Sequence, residues 1–389
     1  MVNSGFNKSW NIKMKILQLG KFYPIRGGVE KVMYDIMSGL SVRGVSCDML
    51  CTTQDRQISG EIQINEYSRL FCVPTIVKLA ATTISPAMIL KLRRIRKDYD
   101  VIHIHHPDPM ACMALFFSGY KGKVVLHWHS DILKQKVLLK FYAPFQRWLI
   151  KRADVIAGTT PVYVQQSPFL QSVQEKVTSI PIGILPIRSW SGNMNRIKEQ
   201  YAGKKIIFSL GRLVEYKGFE YLIKAASILG KDYIFLIGGT GPLRDSLQSQ
   251  INDLGISDRV ILLGYVREKE IPDYFWASDL FVLSSIQKTE AFAIVQIEAM
   301  SCSTPIVATR IKESGVSWVN KQGVSGLNVP PRDPQSLADA IRRILSDVEL
   351  HANLSRGALK RYQSLFTRSR MTDKCLALYE NIMTEKRFS

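Results

Sequence analysis

Hydrophobic residues along the chain form short β-branched runs, separated by longer segments in which apolar positions recur at helical spacing. This alternation is typical of parallel α/β architecture, in which a helix connects one strand to the next. The pattern predicts strands at 15–19, 47–52, 101–104, 124–127 and 155–157, then at 205–210, 233–237, 260–263, 280–283 and 306–308, with helices that include 29–40, 219–229, 243–254, 271–277 and 292–301.

A segment containing proline and glycine, 180–186, separates the two series of strands and is followed by the polar run 189–195. We interpret it as a linker between two doubly wound α/β domains of similar size. In such sheets ligands bind at the carboxyl ends of the strands. If the carboxyl ends of the strands in the two domains face each other, the domains would enclose a deep central cleft.

Composition supports a globular protein of about two domains. Of 389 residues, 46% are hydrophobic and 22% are charged, which excludes a mainly disordered or fibrous chain. The six cysteines are scattered, which suits buried thiols in a reducing compartment better than a disulfide framework. Residues 1–13 are polar and lack the apolar core of a signal peptide, and no stretch is apolar for long enough to span a bilayer. We therefore expect a cytoplasmic protein.

The net charge of +19 is concentrated in the first half, where residues 1–188 carry 25 basic and 12 acidic side chains. Two basic segments, 91–97 and 132–153, contribute to this excess, and the second interleaves its cations with aromatic residues. Basic amphipathic helices favour anionic membrane surfaces, although a solvated charged face remains an alternative. Since no recognised nucleic-acid module accompanies the charge, we do not expect a nucleic-acid partner.

Two strand-to-helix turns carry candidate binding residues. Gly27 and Gly28 precede the first helix, where glycine lets a backbone approach a phosphate or sugar, although an ordinary turn explains them equally well. In the loop 211–218, Arg212 and Lys217 are five residues apart and could hold a diphosphate. Two solvated surface charges are the alternative.

A third glycine-rich turn, 238–243, contains Gly241 and lacks the glycine spacing of a dinucleotide-binding unit. A tight turn beside the ligand accounts for it, and a dehydrogenase is disfavoured.

Two glutamates bracket the start of an apolar helix in the second half. If the whole span were helical, Glu290 and Glu298 would lie ~12 Å apart, comparable to the distance from hexose to ribose in a nucleotide sugar. One carboxylate could hold sugar hydroxyls and the other ribose hydroxyls, with a diphosphate on free amides between them. A capping glutamate and a helical glutamate are the alternative. The residues offering those amides are Phe292, Ala293, Ile294 and Val295.

Five of the six histidines fall within 27 residues, on or just after two predicted neighbouring strands. Imidazoles suit a metal site, but strand alternation places His103 and His105 on one face and His106 on the other. We therefore favour a hydrogen-bonding role for His129, at the end of its strand, with a sugar, and expect no metal. The Asp-x-Asp sequence at 98–100 precedes its strand, so we expect it to lie away from the ligand.

In this order, the motifs resemble the retaining, nucleotide-sugar-dependent glycosyltransferases of family four, which have the GT-B fold. The resemblance covers residues 15 to about 379. It rests on the Gly27-Gly28 turn, His129-Ser130-Asp131, the 211–218 loop, Gly239 to Pro242, and the paired glutamates.

This resemblance implies a role for each motif. Arg212 and Lys217 would bind the donor diphosphate, Glu298 the ribose and Glu290 the transferred hexose, while Tyr265 and Val266 would lie beside the nucleobase. The family requires no metal or other cofactor. It implies an acceptor-side domain at 1–186, a donor-binding domain at 187–369, and a final helix at 370–389 that returns to the first domain. Two departures are Ala293, where glycine is usual, and Ile184, which follows Pro181-Ile182-Gly183 where Asn-Gly-Ile/Val-Asp is usual.

Further resemblance, in 105–109 and 130–148, is to bacterial transferases that build surface polysaccharide on a lipid carrier, among which mannosyltransferases using GDP-mannose are frequent. The resemblance thus implies retaining transfer of a hexose to a lipid-linked glycan at the inner face of the plasma membrane. UDP-sugar transferases, a non-catalytic GT-B scaffold and a GT-B epimerase remain alternatives. The hexose, the acceptor, the linkage and the oligomeric state are left open.

Overall fold

The computed structural model describes residues 14–25, 27–79, 82–132, 136–188 and 192–384. The predicted absence of a signal peptide concerns residues outside these ranges, as does part of the predicted polar run 189–195. The chain forms two compact units, unit 1 (Met1–Ile182 with Arg368–Ser389) and unit 2 (Gly183–Thr367). Within the described ranges, no helix combines the length and the apolar character needed to cross a membrane.

Unit 1 contains an eight-stranded sheet in the order β10-β9-β8-β7-β1-β2-β4-β3 and a separate two-stranded hairpin, β5-β6. Every pairing in the large sheet is parallel except that of β3 with β4. The central strand β7 is buried along its whole length, as expected for a parallel sheet covered on both faces. The strands are β1 (Lys15–Phe22), β2 (Ser46–Thr53), β3 (Gly60–Asn65), β4 (Ser68–Pro74), β5 (Val77–Leu79), β6 (Thr82–Ile84), β7 (Val101–His106), β8 (Lys123–Trp128), β9 (Val155–Gly158) and β10 (Val177–Ser179).

Helices connect these strands, and local sequence sets their ends. At the start of one helix, the Asp108 carboxylate accepts a hydrogen bond from the amide of Ala111 at 3.0 Å, and Pro109 occupies the first turn. Gly119, with φ of 67°, ends the same helix in the left-handed conformation. The helices are α1 (Gly28–Ser41), α2 (Pro86–Ile95), α3 (Pro109–Ser118), α4 (Lys136–Arg152) and α5 (Pro161–Gln165).

Unit 2 contains a six-stranded sheet in the order β13-β12-β11-β14-β15-β16, in which every pairing is parallel. Its core packs helices against the sheet through fully buried side chains such as Leu222, Phe235 and Ile341. The strands are β11 (Lys205–Leu210), β12 (Tyr233–Gly238), β13 (Val260–Gly264), β14 (Leu280–Leu283), β15 (Ile306–Thr309) and β16 (Gly326–Val329). The helices are α6 (Asn193–Gln200), α7 (Phe219–Ile228), α8 (Arg244–Asp253), α9 (Ile271–Ala277), α10 (Ile294–Ser301), α11 (Val316–Val319), α12 (Pro334–Ser346) and α13 (Val348–Arg361).

The last described helix, α14 (Arg368–Thr384), belongs to unit 1 although it follows unit 2 in the chain. It packs beside α1, where Arg43 forms a 2.7 Å ion pair with Asp373. Tyr379 is fully buried and its hydroxyl lies 2.6 Å from Nδ1 of His103 on β7. The terminal segment is therefore part of the unit 1 core.

The structure confirms the predicted fold class, two α/β units with mainly parallel sheets. All ten predicted strands coincide with observed ones, while β3, β4, β10, β16 and the two short strands β5 and β6 were not predicted. β3 is largely exposed and β16 is only four residues long with glycine and asparagine, so neither gives an apolar run. The predicted helix 292–301 was wrong at its start, because Ala293 is left-handed (φ 61°) and α10 begins at Ile294.

Candidate functional site

The candidate site of unit 2 lies where the strand order reverses. β11 and β14 are neighbours in the sheet, but their connections leave in opposite directions, to β12 and to β15. Loops that follow such a pair separate and leave a crevice at the carboxyl ends of the strands, the usual ligand site of open α/β sheets. Lys217 follows β11 and Glu290 follows β14, so the two loops bring these residues to that edge.

Lys217 and Glu290 form a largely buried ion pair at this edge. The Lys217 Nζ lies 2.5 Å from Oε2 of Glu290, and the two side chains are 11% and 10% exposed. Burial disfavours the charged lysine, but the Glu290 carboxylate outweighs that effect, so the pKa of Lys217 is raised. The hydroxyl of Ser285 donates a second hydrogen bond to Glu290 Oε2, at 2.8 Å. The site therefore holds a fixed ammonium and a fixed carboxylate in contact.

The backbone of the Lys217 loop is held against β14. The Ser284 hydroxyl donates to the carbonyl of Lys217 at 2.9 Å. Gly218 has φ of 63°, and a Cβ at that position would lie 2.3 Å from the Ser284 carbonyl oxygen. Only glycine suits both this conformation and this approach, so Gly218 fixes the path of the loop.

Glu290 precedes the amino terminus of α10. Residues 290–298 do not form one helix, since Glu290 lies in a loop and only Glu298 is helical, so the condition for a separation of ~12 Å along a helix axis is not met. The Ala293 side chain cannot cap the amide N–H groups of Ile294 and Val295 in the first turn, whereas the Gln296 amide donates to the Ala293 carbonyl at 3.0 Å. Ile294 and Val295, in that turn, are half-buried, whereas the Phe292 ring is buried against Phe366.

The remaining predicted residues of unit 2 lie in the loops that follow β11, β12 and β13, and on α10. Arg212 is exposed in the loop that also carries Lys217, and its positive charge opposes the raised pKa of Lys217. Gly241 packs against the same loop, since a Cβ there would lie 2.4 Å from the Leu213 carbonyl oxygen. After β13, Tyr265 is 75% exposed while Val266 is buried. Glu298 is half-buried on α10.

The other predicted residues belong to unit 1. Gly27 and Gly28 are exposed at the amino terminus of α1, after β1, with Gly27 in an extended conformation. His129 directly follows β8 and is 6% exposed. All three therefore lie at the carboxyl edge of the unit 1 sheet, where sequence reasoning placed them.

The histidines of β7 and β8 form a buried stack on one face of the unit 1 sheet, with His103, His105, His127 and His129 as members. His106 points to the other face and stacks on Trp128, as strand alternation predicts. Burial lowers the pKa of His127 to about 3. Burial and the nearby Lys21 charge lower the pKa of His106 to about 3 as well, so both rings are neutral near pH 7.

Nitrogen atoms of His103, His105 and His127 lie within 4.8 Å of one another, close enough to test the stack as a metal site. Their rings are within 21° of parallel and stacked, so their lone pairs lie in parallel planes rather than converging on one point. Both nitrogens of His105 also already have partners, His129 and Gln18. The parallel rings and the occupied nitrogens of His105 do not suit a tetrahedral metal site, although both buried ring nitrogens of His127 have no hydrogen-bond partner among the described residues.

A polar cavity of about 350 Å³ lies at the opposite edge of unit 1, beside the amino ends of β1, β2 and β7. Asp98 lines it, while the Asp100 carboxylate accepts a 2.9 Å hydrogen bond from the Lys15 amide. The Asp-x-Asp sequence thus lies away from the carboxyl edge. The cavity's buried Asp48 is already bound by Arg69 and Tyr99, so we place the ligand site elsewhere.

Sequence reasoning missed three polar residues around Glu290. Ser285 binds its carboxylate and Ser314 its backbone carbonyl. The buried hydroxyl of Thr289, the preceding residue, has no hydrogen-bond partner among the described residues. The serine pair after β14 was a usable signal, because polar residues that end a buried strand face the ligand edge.

Comparison with known proteins identifies the family. A family model described as Glycosyltransferase Family 4 matches residues 26–185, and one described as Glycosyl transferases group 1 matches residues 193–361. The O-antigen chain mannosyltransferase C of Escherichia coli is 28% identical over 96% of this chain and 100% of that protein. The D-rhamnosyltransferase WbpZ of Pseudomonas aeruginosa is 28% identical over 91% of this chain and 92% of that protein.

Solved structures share the fold. The sucrose-phosphate synthase of Thermosynechococcus elongatus has a TM-score of 0.76 at 20% identity, covering 95% of this chain and 99% of that one. Anabaena HepE, solved in complex with UDP, has a TM-score of 0.76 at 22% identity, covering 95% of this chain and 100% of that one. From the two family models and this fold, the chain belongs to the group 1 glycosyltransferases of family four, with the GT-B fold.

Proposed function

We propose that this chain is a retaining hexosyltransferase that transfers mannose from GDP-mannose to a lipid-linked oligosaccharide in bacterial surface polysaccharide synthesis. The observation that carries the proposal is the Lys217–Glu290 pair at the β11/β14 edge, next to the amino terminus of α10. A nucleotide sugar needs positive charge for its diphosphate and acceptors for its hydroxyls, and this edge offers both.

The diphosphate contacts follow from charge and backbone. Arg212 offers a planar fork of donors and Lys217 a point charge. The first-turn amides of α10, at Ile294 and Val295, add donors at the positive end of the helix dipole. Glu290 then accepts hydrogen bonds from hexose hydroxyls and Glu298 from ribose hydroxyls.

The proposed reaction breaks the bond between the anomeric carbon and the diphosphate oxygen. Negative charge grows on the leaving diphosphate, and the fixed cations stabilise it most in the transition state. The acceptor hydroxyl attacks from the face that the diphosphate leaves, and its proton passes to the departing phosphate. This route retains the anomeric configuration and requires neither a metal nor a dedicated base.

The nucleobase and hexose assignments rest on relatives. One relative is named a mannosyltransferase of O-antigen chains and another a D-rhamnosyltransferase. Tyr265 and Val266, after β13, are the residues we place beside the base. A thermal-shift screen across GDP-, UDP- and dTDP-sugars tests this choice, and we expect GDP-mannose to give the largest stabilisation. Stabilisation by UDP-sugars alone would favour the UDP-sugar alternative.

Transfer itself is tested by Arg212→Ala. Because Arg212 is exposed, the substitution leaves the fold intact, but we expect the turnover number to fall by roughly 10²–10³. The assay measures nucleoside diphosphate release with a lipid-linked acceptor, and NMR of the product reports the anomeric configuration. Lys231→Ala is the matched control, since Lys231 is exposed just before β12, away from the site. Activity of Arg212→Ala within a few-fold of wild type would defeat the proposal.

The two alternatives from other classes give different products. An epimerase releases free or epimerised sugar without an acceptor, and a scaffold releases no nucleoside diphosphate under any condition. A transferase is favoured over a scaffold because all four charged residues of the proposed site are present: Lys217, Glu290, Arg212 and Glu298.

We also propose that unit 1 contacts an anionic membrane surface. Phe116, Phe117 and Phe141 on α3 and α4 are 40%, 45% and 78% exposed. Lys140, Arg147 and Lys151 are exposed on α4. Aromatic and basic side chains on adjacent helices are the combination that binds lipid interfaces.

Vesicle flotation tests the membrane contact. We expect the protein to float with vesicles containing phosphatidylglycerol, to dissociate at about 0.5 M salt, and to lose binding in Phe141→Ser combined with Arg147→Glu. Lys121→Glu, an exposed cation outside α4, is the control. Flotation that salt does not weaken, or none at all, would contradict the contact.

A further inference from the structure

A chain of hydrogen bonds in unit 1 leads from the core to His129. Oε1 of Gln18, on β1, lies 2.7 Å from Nε2 of His105. Nδ1 of His105 lies 2.8 Å from Nε2 of His129. Gln18 and His105 are fully buried, so no water competes for these positions.

The Gln18 amide oxygen determines which ring nitrogen donates in each hydrogen bond of the chain. An amide oxygen only accepts, so His105 must donate from Nε2. Burial, with repulsion from neighbouring imidazoles, lowers the pKa of His105 well below its usual range, so the ring is neutral and its Nδ1 carries no proton. His105 Nδ1 therefore accepts, and His129 donates from Nε2. The pKa of His129 is lowered by the same causes, which leaves its Nδ1 with a lone pair.

A second branch holds the Gln18 amide in this orientation. Its Nε2 donates to the Tyr379 hydroxyl at 3.3 Å, and that hydroxyl lies 2.6 Å from Nδ1 of His103. The Tyr379 hydroxyl oxygen therefore accepts from Gln18. The opposite protonation of His129 would require the Gln18 amide to turn over and this branch to reverse.

We propose that Gln18 and His105 are positioning residues that fix His129 as the Nε2–H tautomer, so that Nδ1 accepts a hydrogen bond from a ligand hydroxyl at the carboxyl edge of unit 1. His129 then favours a hydroxyl over a carboxylate or carbonyl oxygen at that position. The assignment of the hydroxyl to a sugar rests on the proposed function; the tautomer does not.

The experiment is long-range ¹H–¹⁵N NMR of the full chain labelled with ¹⁵N-histidine, which distinguishes a protonated ring nitrogen from a bare one. His129→Gln assigns the signals. We expect wild-type His129 to show a protonated Nε2 and a bare Nδ1. A wild-type spectrum with the proton on Nδ1 overturns the proposal, whether or not any variant folds.

Gln18→Leu tests the relay, by which we mean the hydrogen-bond chain from Gln18 through His105 to His129. Without the Gln18 oxygen, we expect a second tautomer of His129 and a loss in kcat/KM of roughly five- to tenfold, the value of one hydrogen bond. His127→Phe is the control, since its ring lies 4.3 Å from that of His129 but is not part of the relay. We expect that variant to keep the tautomer and activity within about twofold. A His129 tautomer unaffected by Gln18→Leu would contradict the relay.

Failures of the two claims are distinguishable. If no donor and acceptor give transfer while the tautomer follows Gln18, the proposed function fails and the relay stands. If transfer occurs and His129 carries its proton on Nδ1, the relay fails and the function stands.

Discussion

At the residue scale, we expect the Lys217–Glu290 pair to serve both the stability of unit 2 and the proposed transfer. Removing one partner of a buried pair leaves an uncompensated charge, so Lys217→Ala should destabilise unit 2 by about 3 kcal/mol while the fold persists. Adding Glu290→Gln should restore most of that stability without restoring transfer. Denaturant unfolding and the transferase assay, run on both variants, separate the two roles.

Recovery of transfer in the double variant would show that Lys217 serves stability alone. Failure of the second substitution to recover stability would show that the pair is not what Lys217→Ala disrupts.

Ala293 is a second residue whose effect on the free energy of unfolding can be tested. Its φ of 61° is unfavourable for any residue with a Cβ, by about 1–2 kcal/mol. Allowing for the greater freedom of glycine in the unfolded chain, Ala293→Gly should stabilise the protein by about 0.5–1 kcal/mol. Ala299→Gly, in the same helix α10 with helical geometry, should instead cost about 1 kcal/mol. Equal effects of the two substitutions on chemical denaturation would refute the strain at Ala293.

At the element scale, the loops after β11 and β12 support each other. The Leu213 amide donates to the Thr240 carbonyl at 2.9 Å, and a Cβ on Gly239 would lie 1.8 Å from the Gly211 carbonyl oxygen. This close approach fixes the loop that carries Arg212 and Lys217.

Gly239→Ala should therefore cost more than about 2 kcal/mol, because backbone rather than a flexible side chain must move. Gly230→Ala, where nothing lies within 4 Å, should change stability by less than about 0.5 kcal/mol. Thermal unfolding of the two variants checks this, and an equal cost in both would contradict the packing argument.

At this scale, a strand is easier to predict from the sequence when its run of apolar residues is continuous. Central strands such as β7 and β11 give continuous apolar runs and were predicted, whereas exposed β3 does not. The Lys217–Glu290 contact joins residues 73 positions apart. The sequence marks each as a candidate, but only the strand order at β11 and β14 makes them neighbours. The left-handed Ala293 escaped prediction because local propensity gives no reason for it.

At the scale of the whole molecule, the two units should respond differently to acid. Five of the six histidines lie in the unit 1 core, and burial lowers the pKa of each. A histidine whose folded pKa lies below its unfolded value takes up a proton on unfolding as the pH falls below about 6.5. Each such group then costs about 1.4 kcal/mol of stability per pH unit, down to its folded pKa.

We therefore expect unit 1 to unfold before unit 2 when the pH is lowered from 7 to 5.5. Calorimetry, with limited proteolysis to identify the unfolded unit, measures this. His127→Phe should lose about 1 kcal/mol less than wild type over that range, since the pKa of His127 is about 3. Co-unfolding of both units, or no difference in the variant, would contradict the assignment.

The central claim is that the β11/β14 edge of unit 2 binds the diphosphate of a nucleotide sugar, and calorimetric titration of the full chain with GDP, UDP and dTDP tests it most directly. We expect one nucleotide to bind with unit stoichiometry, at least tenfold more weakly in Arg212→Ala and Lys217→Ala, and unchanged in Lys231→Ala. Wild-type affinity in both site variants, or no binding of any nucleotide, would contradict the account.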